Sequence, residues 1–333
     1  MSFNSSDVII PCLQSLIESS HQALRIVVVD NASPDNTIEL IERWAGQLVE
    51  SGRLSFDIIT SNEKEFPNDA KAHSVTIFRN HRNSGYAGAC NIGFQLLYCN
   101  SKILNYWILN PDCVVLPDTA INAQKAIDKN PEYSLMGGRI NFTEPANSIQ
   151  SDGGQVNMWT GRCRNIHQGL PQDSTPYPEL SEIDYCPGAH FFVSRTFYEM
   201  TGGMQDDYFL YFEEIDWAFR RGELPLQYCH HSEVFHQGGT SIGSRTMYNR
   251  ASAFSNYFNF RNRILFLIRF HPLGIPTAYA YSMALIARLC LYRAWDEAYG
   301  AFCGLHQLPP PKNIKKRLQQ TNATFLKNAF VET

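Results

Sequence analysis

The stretch RIVVVDNASPDNT, residues 25–37, decides the fold class. Its first part, Arg25 to Asp30, is a run of β-branched residues typical of a parallel strand buried on both faces. Turn-forming residues follow at 31–36, and Thr37 is placed to cap a helix whose apolar residues recur at helical spacing. The stretch therefore predicts a strand, a polar loop and a helix, the repeating unit of an α/β sheet.

The same alternation continues downstream. Val75–Phe78 and Trp107–Leu109 have the composition of further strands, and Ala87–Tyr98 has that of a helix between them. Further on, His190–Ser194 is predicted to be a strand and Glu213–Arg221 a helix. Such sheets bind their ligands at the carboxyl ends of the strands, so functional residues are expected there.

The chain changes character near its end, because it becomes helical, aromatic and basic from Tyr248 onward. We therefore expect a catalytic α/β domain over residues 1–245 and a helical C-terminal extension over residues 246–333.

Composition excludes several classes of protein. The formal net charge of -4 is not the basic footprint of a nucleic-acid-binding protein. The nine cysteines include no C-x-x-C pair, which predicts free thiols in a reducing compartment and a cytoplasmic protein. The first residues lack a secretory signal pattern, and no window supplies the roughly 18 apolar residues of a spanning helix.

Two segments are suited to binding a nucleotide. Asp30 ends a buried strand, where its carboxylate either accepts hydrogen bonds from a base or ribose or caps the following helix. In RNSGYAGACNIGF, residues 82–94, Gly85 and Gly88 precede a predicted helix, so backbone can approach an anionic ligand closely. The alternative for this second segment is an ordinary glycine turn.

Two residues have the chemistry of metal ligands. In WILNPDCVV, residues 107–115, Asp112 follows a buried strand, as a carboxylate ligand of Mg²⁺ or Mn²⁺ does, although a polar turn has the same pattern. His236 lies between an apolar stretch and two glycines, which suits either a neutral imidazole ligand or a structural histidine.

A third segment carries acids. YFLYFEEIDWAFRR, residues 208–221, places Glu213, Glu214 and Asp216 at the start of a predicted helix. Carboxylates there complement the helix dipole, and one of them is also suited to act as a general base on an acceptor hydroxyl.

Taken together and in order, these segments resemble family 2 glycosyltransferases of the GT-A fold, in particular the bacterial rhamnosyltransferase-like branch. The matching segments are VVVDNASPDNT, NSGYAGACNIG, WILNPDCVV, PGAHFFVSR, GGMQDDYFLYFEEIDWAFR, HQGGTS and RNRILFLIR. They extend from residue 3 to about residue 270. The resemblance implies a mixed, mainly parallel sheet flanked by helices.

The resemblance also implies roles for individual residues. The family's D-x-D motif falls on Asn110-Pro111-Asp112, so Asp112 and His236 would hold a divalent cation, Mg²⁺ or Mn²⁺. Glu214 would be the catalytic base of an inverting displacement, and Asp216 would orient the acceptor. The residues implied for binding the donor and the acceptor are Asp30, Asn31, Asn83, Gly85, Gly88, Asn91, Asn110, Gly188, Ala189, Glu213 and Trp217.

The sequence departs from the family at its first strand, of which only Met1-Ser2-Phe3-Asn4 is present. We expect either that the true start lies upstream or that the chain is impaired. The loss of a central strand would leave backbone groups unpaired and apolar neighbours exposed.

The segment NYFNFRNRILFLIRFHP, residues 256–272, mixes arginines with apolar residues at roughly helical spacing. It predicts either a helix on the anionic inner face of the cytoplasmic membrane or a helix packed on the catalytic domain. Lipid-linked acceptors in the resembling family favour the membrane.

These features predict an enzyme that moves a sugar, with rhamnose as the family-based guess, from a dTDP- or UDP-linked donor to a glycan or lipid-linked acceptor in cell-surface polysaccharide synthesis. The alternative is an inactive nucleotide-binding module of the same fold. A processive synthase is disfavoured because a Q-x-x-R-W motif and spanning helices are missing, and a nucleotidyltransferase because no G-x-G-T-R-like loop opens the chain.

Overall fold

The computed structural model describes residues 1–21, 24–60, 73–238 and 250–320. The strands are β1 (Arg25–Asp30), β2 (Leu54–Ile59), β3 (His73–Arg79), β4 (Asn105–Leu109), β5 (Cys113–Val115), β6 (Leu135–Phe142), β7 (Ile149–Ser151), β8 (Gly154–Asn157), β9 (Arg162–Asn165), β10 (His190–Ser194) and β11 (Gln227–His236). The helices are α1 (Ile9–Ile17), α2 (Thr37–Glu50), α3 (Gly85–Tyr98), α4 (Thr119–Lys129), α5 (Arg195–Thr201), α6 (Glu213–Phe219), α7 (Ala253–Phe270), α8 (Ile275–Leu291), α9 (Trp295–Leu305) and α10 (Lys312–Gln320).

The predicted alternation of strands and helices is confirmed. The strands at Arg25–Asp30 and His190–Ser194 have the predicted bounds, and the helix predicted at Ala87 begins two residues earlier. Thr37 is the first residue of α2 rather than its cap, which is Asn36, and its backbone N–H donates to the carboxylate of Asp35.

The strands form two main sheets. The first is parallel and has the order β1-β3-β2. The second is mixed and has the order β4-β10-β6-β11-β5, in which only the β6–β11 pair is parallel and β7 pairs with β6. A small antiparallel pair, β8–β9, stands apart from both.

The C-terminal helices pack on the α/β part. One hydrophobic cluster contains Phe94 and Trp217 from the α/β part together with Phe258 and Phe266 from α7. The predicted boundary at residues 245/246 lies outside the described residues.

The arginines of α7 correct one expectation, since they bind groups of the protein itself. Arg263 is buried and donates to Ser282 Oγ at 2.9 Å. Arg261 donates to the carbonyl of Asp207 at 3.0 Å, and Arg269 to the carboxylate of Asp216 at 3.0 Å. The helix is therefore packed on the α/β part, and the second of the two predicted alternatives holds for α7.

Two glycines set the distance between α7 and α9. A Cβ atom at Gly304 would lie 2.1 Å from the carbonyl oxygen of Tyr257, and one at Gly300 would lie 2.6 Å from that of Ala253. Because both obstacles are backbone atoms of the neighbouring helix, they cannot move aside as a flexible side chain does.

We expect Gly304→Ala to lower the free energy of unfolding by about 1–3 kcal/mol, because the added methyl group forces α7 and α9 apart. Gly46→Ala is the matched control: Gly46 lies in α2, and nothing is within 4 Å of its Cβ position. There, higher helix propensity should raise stability by roughly 0.5–1 kcal/mol. Denaturant unfolding measures the free energy of unfolding of both variants. Equal changes in the two variants would contradict the close packing of α7 on α9.

Candidate active site

A cavity of about 520 Å³ opens where β1 and β4 end, and most of the predicted site residues line it. These residues are Asn31, Asn83, Gly85, Asn110, Asp112, Gly188, Ala189, Glu213, Glu214 and His236. The fold therefore brings residues that are more than 200 positions apart in the sequence to one cavity.

Asp112 and His236 meet at one side of this cavity. The two belong to neighbouring elements, because β11 pairs with β5 in a register that places His236 opposite Cys113. The Nε2 atom of His236 lies 3.1 Å from Oδ1 of Asp112, and Nδ1 lies 2.8 Å from Oε1 of Gln150. Since the Gln150 oxygen can only accept, Nδ1 donates to it, and Nε2 faces the carboxylate of Asp112.

This pair fits a hard divalent cation. Two ligand atoms bound at right angles at the Mg²⁺ distance lie about 3 Å apart. Burial by itself would raise the pKa of Asp112, but the hydrogen bond and charge of His236 and the backbone N–H of Gly238 bring it below its ordinary value. The carboxylate is therefore ionised at neutral pH, as a metal ligand must be.

Cys113 lies near the same two side chains, with its sulfur within 4.8 Å of their ligand atoms. Burial raises the pKa of its thiol well above the ordinary value, and the thiol donates to the carbonyl of Ala189 at 3.5 Å. Cys113 is thus a protonated thiol, which is a poor ligand for Mg²⁺ or Mn²⁺.

A strained loop presents the two glutamates to the same cavity. Phe209, Tyr211 and Phe212 have φ angles of 63°, 69° and 75°, although none of them is glycine. Left-handed backbone at such residues costs roughly 1–3 kcal/mol each, so neighbouring structure must hold it. Gly85 allows the closest contact with this loop, because a Cβ there would lie 2.4 Å from the carbonyl oxygen of Phe209.

Asn262 of α7 holds the same loop from behind. Its side chain is fully buried, and its Nδ2 atom donates to the carbonyls of Tyr208, Leu210 and Tyr211 at 2.9, 2.7 and 3.0 Å. A buried amide with three carbonyl partners fixes the loop in one conformation and thereby fixes the start of α6.

The two glutamates at the start of α6 have raised pKa values. Burial raises the pKa of Glu214 to about 7, and burial together with the neighbouring Glu214 charge raises that of Glu213 well above its ordinary value. The Oε2 atom of Glu213 is buried and has no hydrogen-bond partner among the described residues. A carboxylate whose pKa lies near neutral pH is suited to accept a proton from a hydroxyl group.

Asn31 organises the wall of the cavity near β1. Its Nδ2 atom donates to Asn83 Oδ1 at 2.9 Å and to the carbonyl of Gly85 at 3.0 Å. Its Oδ1 atom accepts from Asn80 Nδ2 and from the backbone N–H of Ser84. The predicted nucleotide-binding segments are therefore joined directly to each other.

Two predicted residues of α6 do not reach the cavity. The carboxylate of Asp216 is buried and binds Tyr208, Arg220 and Arg269, and it is not among the described residues that line the cavity. Trp217 is fully buried, and its indole N–H donates to Thr201 Oγ1 at 2.9 Å. Both residues lie two to four residues beyond the glutamates, where α6 has already entered the core.

Three more predicted residues also have structural roles. Asp30 is buried and accepts from the hydroxyl and backbone N–H of Ser33. Gly88 lies inside α3, where a Cβ atom would lie 2.8 Å from the side chain of Ser84. Asn91 bonds the backbone of Met204 through both ends of its amide. None of the three is among the described residues that line the cavity.

Three functional candidates were absent from the sequence prediction: Gln150, Asn262 and Arg317. Gln150 orients His236, and Arg317 is the only fixed cation among the described residues of the cavity wall. The guanidinium of Arg317 lies 4.5 Å from the ring centre of Phe254. Asn262 lies in the matching segment RNRILFLIR, so the sequence pointed to it weakly. Gln150 and Arg317 belong to no matching segment.

We expect Gln150→Leu to weaken Mn²⁺ binding by about 10–100-fold, because the histidine loses the acceptor that fixes its ring and tautomer. Isothermal titration of the purified protein with Mn²⁺ measures this change. Gln47→Leu, on the exposed side of α2, is the control and should leave Mn²⁺ binding as it was. Unchanged affinity in Gln150→Leu would contradict the role of Gln150.

Comparison with known proteins identifies the fold and the family of the chain. The chain is 23% identical over 247 residues to the low-salt glycan biosynthesis hexosyltransferase Agl10 of Haloferax volcanii, covering 73% of this chain and 74% of the relative. A mannosyltransferase from Pyrobaculum calidifontis, solved with GDP-Man and Mn²⁺, superposes with a TM-score of 0.50 at 15% identity, covering 92% of this chain and 84% of that one.

A structure of GalNAc-T7 with UDP, GalNAc and Mn²⁺ superposes with a TM-score of 0.51 at 15% identity, covering 78% of this chain and 45% of that one. The fold expected from the sequence, an α/β glycosyltransferase fold of the GT-A type with helices at its C-terminal end, is thereby confirmed. Residues 1–169 match the model of the family described as Glycosyl transferase family 2. The chain is therefore a glycosyltransferase and belongs to glycosyl transferase family 2.

Proposed function

We propose that this protein is an inverting, divalent-metal-dependent hexosyltransferase. It moves a sugar from a nucleoside diphosphate sugar to a hydroxyl group of a glycan or lipid-linked acceptor in cell-surface polysaccharide synthesis. The observation that carries the proposal is that Asp112, His236 and Glu214 line one cavity.

In this proposal Glu214 is the general base. Its carboxylate takes the proton of the acceptor hydroxyl while that oxygen bonds to the anomeric carbon of the donor sugar. The bond from that carbon to the diphosphate oxygen breaks on the opposite face, so one displacement inverts the centre. A single base is sufficient for this step.

Asp112 and His236 would hold Mg²⁺ or Mn²⁺ against the diphosphate. Such a cation neutralises the negative charge that develops on the leaving diphosphate. Arg317 lies on the same cavity wall and would supply a further positive charge to a phosphate group.

The donor is proposed to be dTDP- or UDP-linked, with its nucleoside near Asn31 and Asn83. A rhamnosyl donor follows from the branch that the sequence resembles. The relative from Haloferax volcanii supports hexosyl transfer in glycan synthesis in general terms.

Membrane contact is part of the proposal, through α8 and α9 rather than α7. Only Ala278, Ser282 and Ile286 of α8 are buried, so most of the helix surface is open. Large apolar side chains are exposed nearby: Leu273, Tyr279, Met283, Leu291, Tyr292, Trp295, Tyr299 and Phe302. We call these side chains, with the helices that carry them, the α8–α9 surface.

The α8 part of this surface suits an anionic bilayer. From residue 270 to residue 295 the chain contains two arginines, Arg288 and Arg293, and no acid, whereas Asp296 and Glu297 follow in the first turn of α9. Arg288 and Arg293 are exposed, beside tyrosine and tryptophan side chains typical of the membrane interface. Within the described residues, no helix combines the length and apolarity needed to cross a bilayer. We propose a peripheral contact, on the cytoplasmic side.

The central test offers the purified protein Mn²⁺ and a panel of nucleotide sugars, with and without membrane lipid extract, and measures the liberated diphosphate. We expect release from one donor, increased by the extract. Binding of a nucleoside diphosphate without any sugar release would instead support the inactive module.

We expect Glu214→Gln to lower turnover by roughly 10²–10⁴-fold while donor binding changes little, because only the proton acceptor is lost. In the unmodified enzyme turnover should rise with pH through about 7, as the Glu214 carboxyl loses its proton. Steady-state rates at several pH values and donor titration of the variant measure both effects.

Glu144→Gln is the matched control, because Glu144 lines the same cavity. The Glu144→Gln variant should have the turnover rate and the pH profile of the unmodified enzyme. Full turnover in the Glu214→Gln variant would contradict the assignment of Glu214 as the general base.

We expect Leu291→Glu to reduce binding to phosphatidylglycerol vesicles by about tenfold or more, since burying a leucine is worth about 1.5–3 kcal/mol. Vesicle co-sedimentation measures this change, with phosphatidylcholine vesicles as the low-charge comparison. Leu180→Glu is the control, because Leu180 is also exposed but lies outside the α8–α9 surface. Equal binding of the two variants would refute this surface as the contact.

A further inference from the structure

Arg263 of α7 is a buried cation without a counter-ion. It is only 9% exposed, and within the described residues no carboxylate pairs with it. Its Nη1 atom donates to the Ser282 hydroxyl at 2.9 Å, whereas its buried Nε atom has no hydrogen-bond partner among those residues. Nη2 has no such partner either, and it is not fully buried. By contrast, Arg139, which is also buried, forms two hydrogen bonds of 2.8 Å with Asp152.

The aromatic neighbours of Arg263 compensate for its burial only in part. The guanidinium carbon lies 5.0 Å from the ring centre of Phe260 and 5.4 Å from that of Tyr281. A ring face attracts a cation more weakly than an anion does, and an unpaired charge is costly to take out of water. Burial accordingly lowers the pKa of Arg263, although an arginine keeps its proton at neutral pH. A bound anion would offset this cost.

A second arginine stands near the first. Arg162 is the first residue of β9, its side chain is exposed, and it forms no ion pair within the described part of the chain. Its positive charge contributes to the lowered pKa of Arg263, so the two guanidinium groups lie near each other. The turn before β9 packs on α7, because a Cβ atom at Gly161 would lie 2.4 Å from Cγ of Arg263. Two guanidinium groups without an ion-paired acid are suited to bind a phosphate group.

The surroundings of the two arginines favour a phosphate group that belongs to a lipid. Ser282 lies on α8, and the next residue, Met283, is an exposed apolar side chain of the α8–α9 surface. The turn between β8 and β9 packs on residues 271–274, so that Trp159 and Leu273, both exposed, border the same region. A lipid headgroup lies between charged groups and acyl chains, whereas a free anion has no use for an apolar border.

We infer that Arg263 and Arg162 form a binding site for the phosphate group of an anionic membrane lipid. Nη2 of Arg263 and the guanidinium of Arg162 donate to the phosphate oxygens, and Ser282 holds the Arg263 side chain in place. The acyl chains lie along the exposed apolar side chains of α8. The choice of a lipid rests on the membrane contact in the proposed function, whereas the phosphate site rests on the two arginines.

This site lies close to the proposed catalytic base. Burial raises the pKa of the Cys163 thiol, the charge of Arg263 lowers it, and the charge of Glu214 raises it further. Both charged groups therefore lie near the same thiol. A lipid held at the site by its phosphate group would thus lie near the part of the active site at which the acceptor reacts.

The test titrates the full chain, without nucleotide or metal, with dihexanoyl phosphatidic acid below the concentration at which it forms micelles. Isothermal titration measures the affinity, and inorganic phosphate is the comparison for a free anion. We expect binding that is at least about tenfold weaker in Arg263→Met and in Arg162→Gln, because each loses charge-assisted hydrogen bonds. Arg43→Gln, at an exposed position of α2, is the control with the same change in net charge and should bind as the unmodified protein does.

Thermal unfolding separates a binding role from a packing role. Methionine keeps an unbranched apolar stem, so Tm of Arg263→Met in phosphate-free buffer should be unchanged or higher, since an unpaired buried charge is removed. Should Arg263→Met fail to fold, Arg162→Gln decides the question, because its side chain is exposed.

Unchanged phosphatidic acid affinity in the arginine variants would overturn the inference, and so would equal weakening by Arg43→Gln. Inorganic phosphate that binds as tightly as phosphatidic acid would overturn the lipid as the occupant. None of these readouts uses turnover, so a failed hexosyltransferase assay would leave the site standing. In the same way, absent lipid binding would leave the result of that assay unchanged.

Discussion

The 3.1 Å approach of His236 to Asp112 is the constraint on which the site depends. A carboxylate and a neutral imidazole nitrogen both present lone pairs, so without a cation or a proton between them they repel. The sheet holds them together, because β11 pairs with β5 and β6 at the same time and carries His236 at its end. The hydrogen bonds of the sheet thus hold these two side chains together.

Much of the fold could be predicted from sequence because local patterns decide it. The β-branched run Arg25–Asp30 has no good alternative to a buried strand, and its bounds were predicted correctly. Asp112 and His236 were expected at strand ends, and both line the cavity, because the carboxyl ends of the strands gather at one edge.

Side-chain direction was the part that sequence could not supply. Glu213 and Glu214 share a short helix with Asp216 and Trp217, yet the helix leaves the cavity after one turn. The carboxylate of Asp216 then accepts a hydrogen bond from Arg269, which lies 53 residues away in the sequence. Gln150 and Arg317 reach the site through tertiary packing alone, so no local pattern marks them.

The position of Glu214, the proposed base, depends on helices outside the α/β part. Three left-handed residues precede Glu213, and such a loop would relax if nothing held it. Asn262 and Arg269, both on α7, bind the loop and the helix that follows. Since α7 packs on α9 through backbone contacts at Gly300 and Gly304, the C-terminal helices support the loop that positions Glu214. The raised pKa of Glu214 needs the same support, because it comes from burial, which would be lost if the loop opened toward solvent.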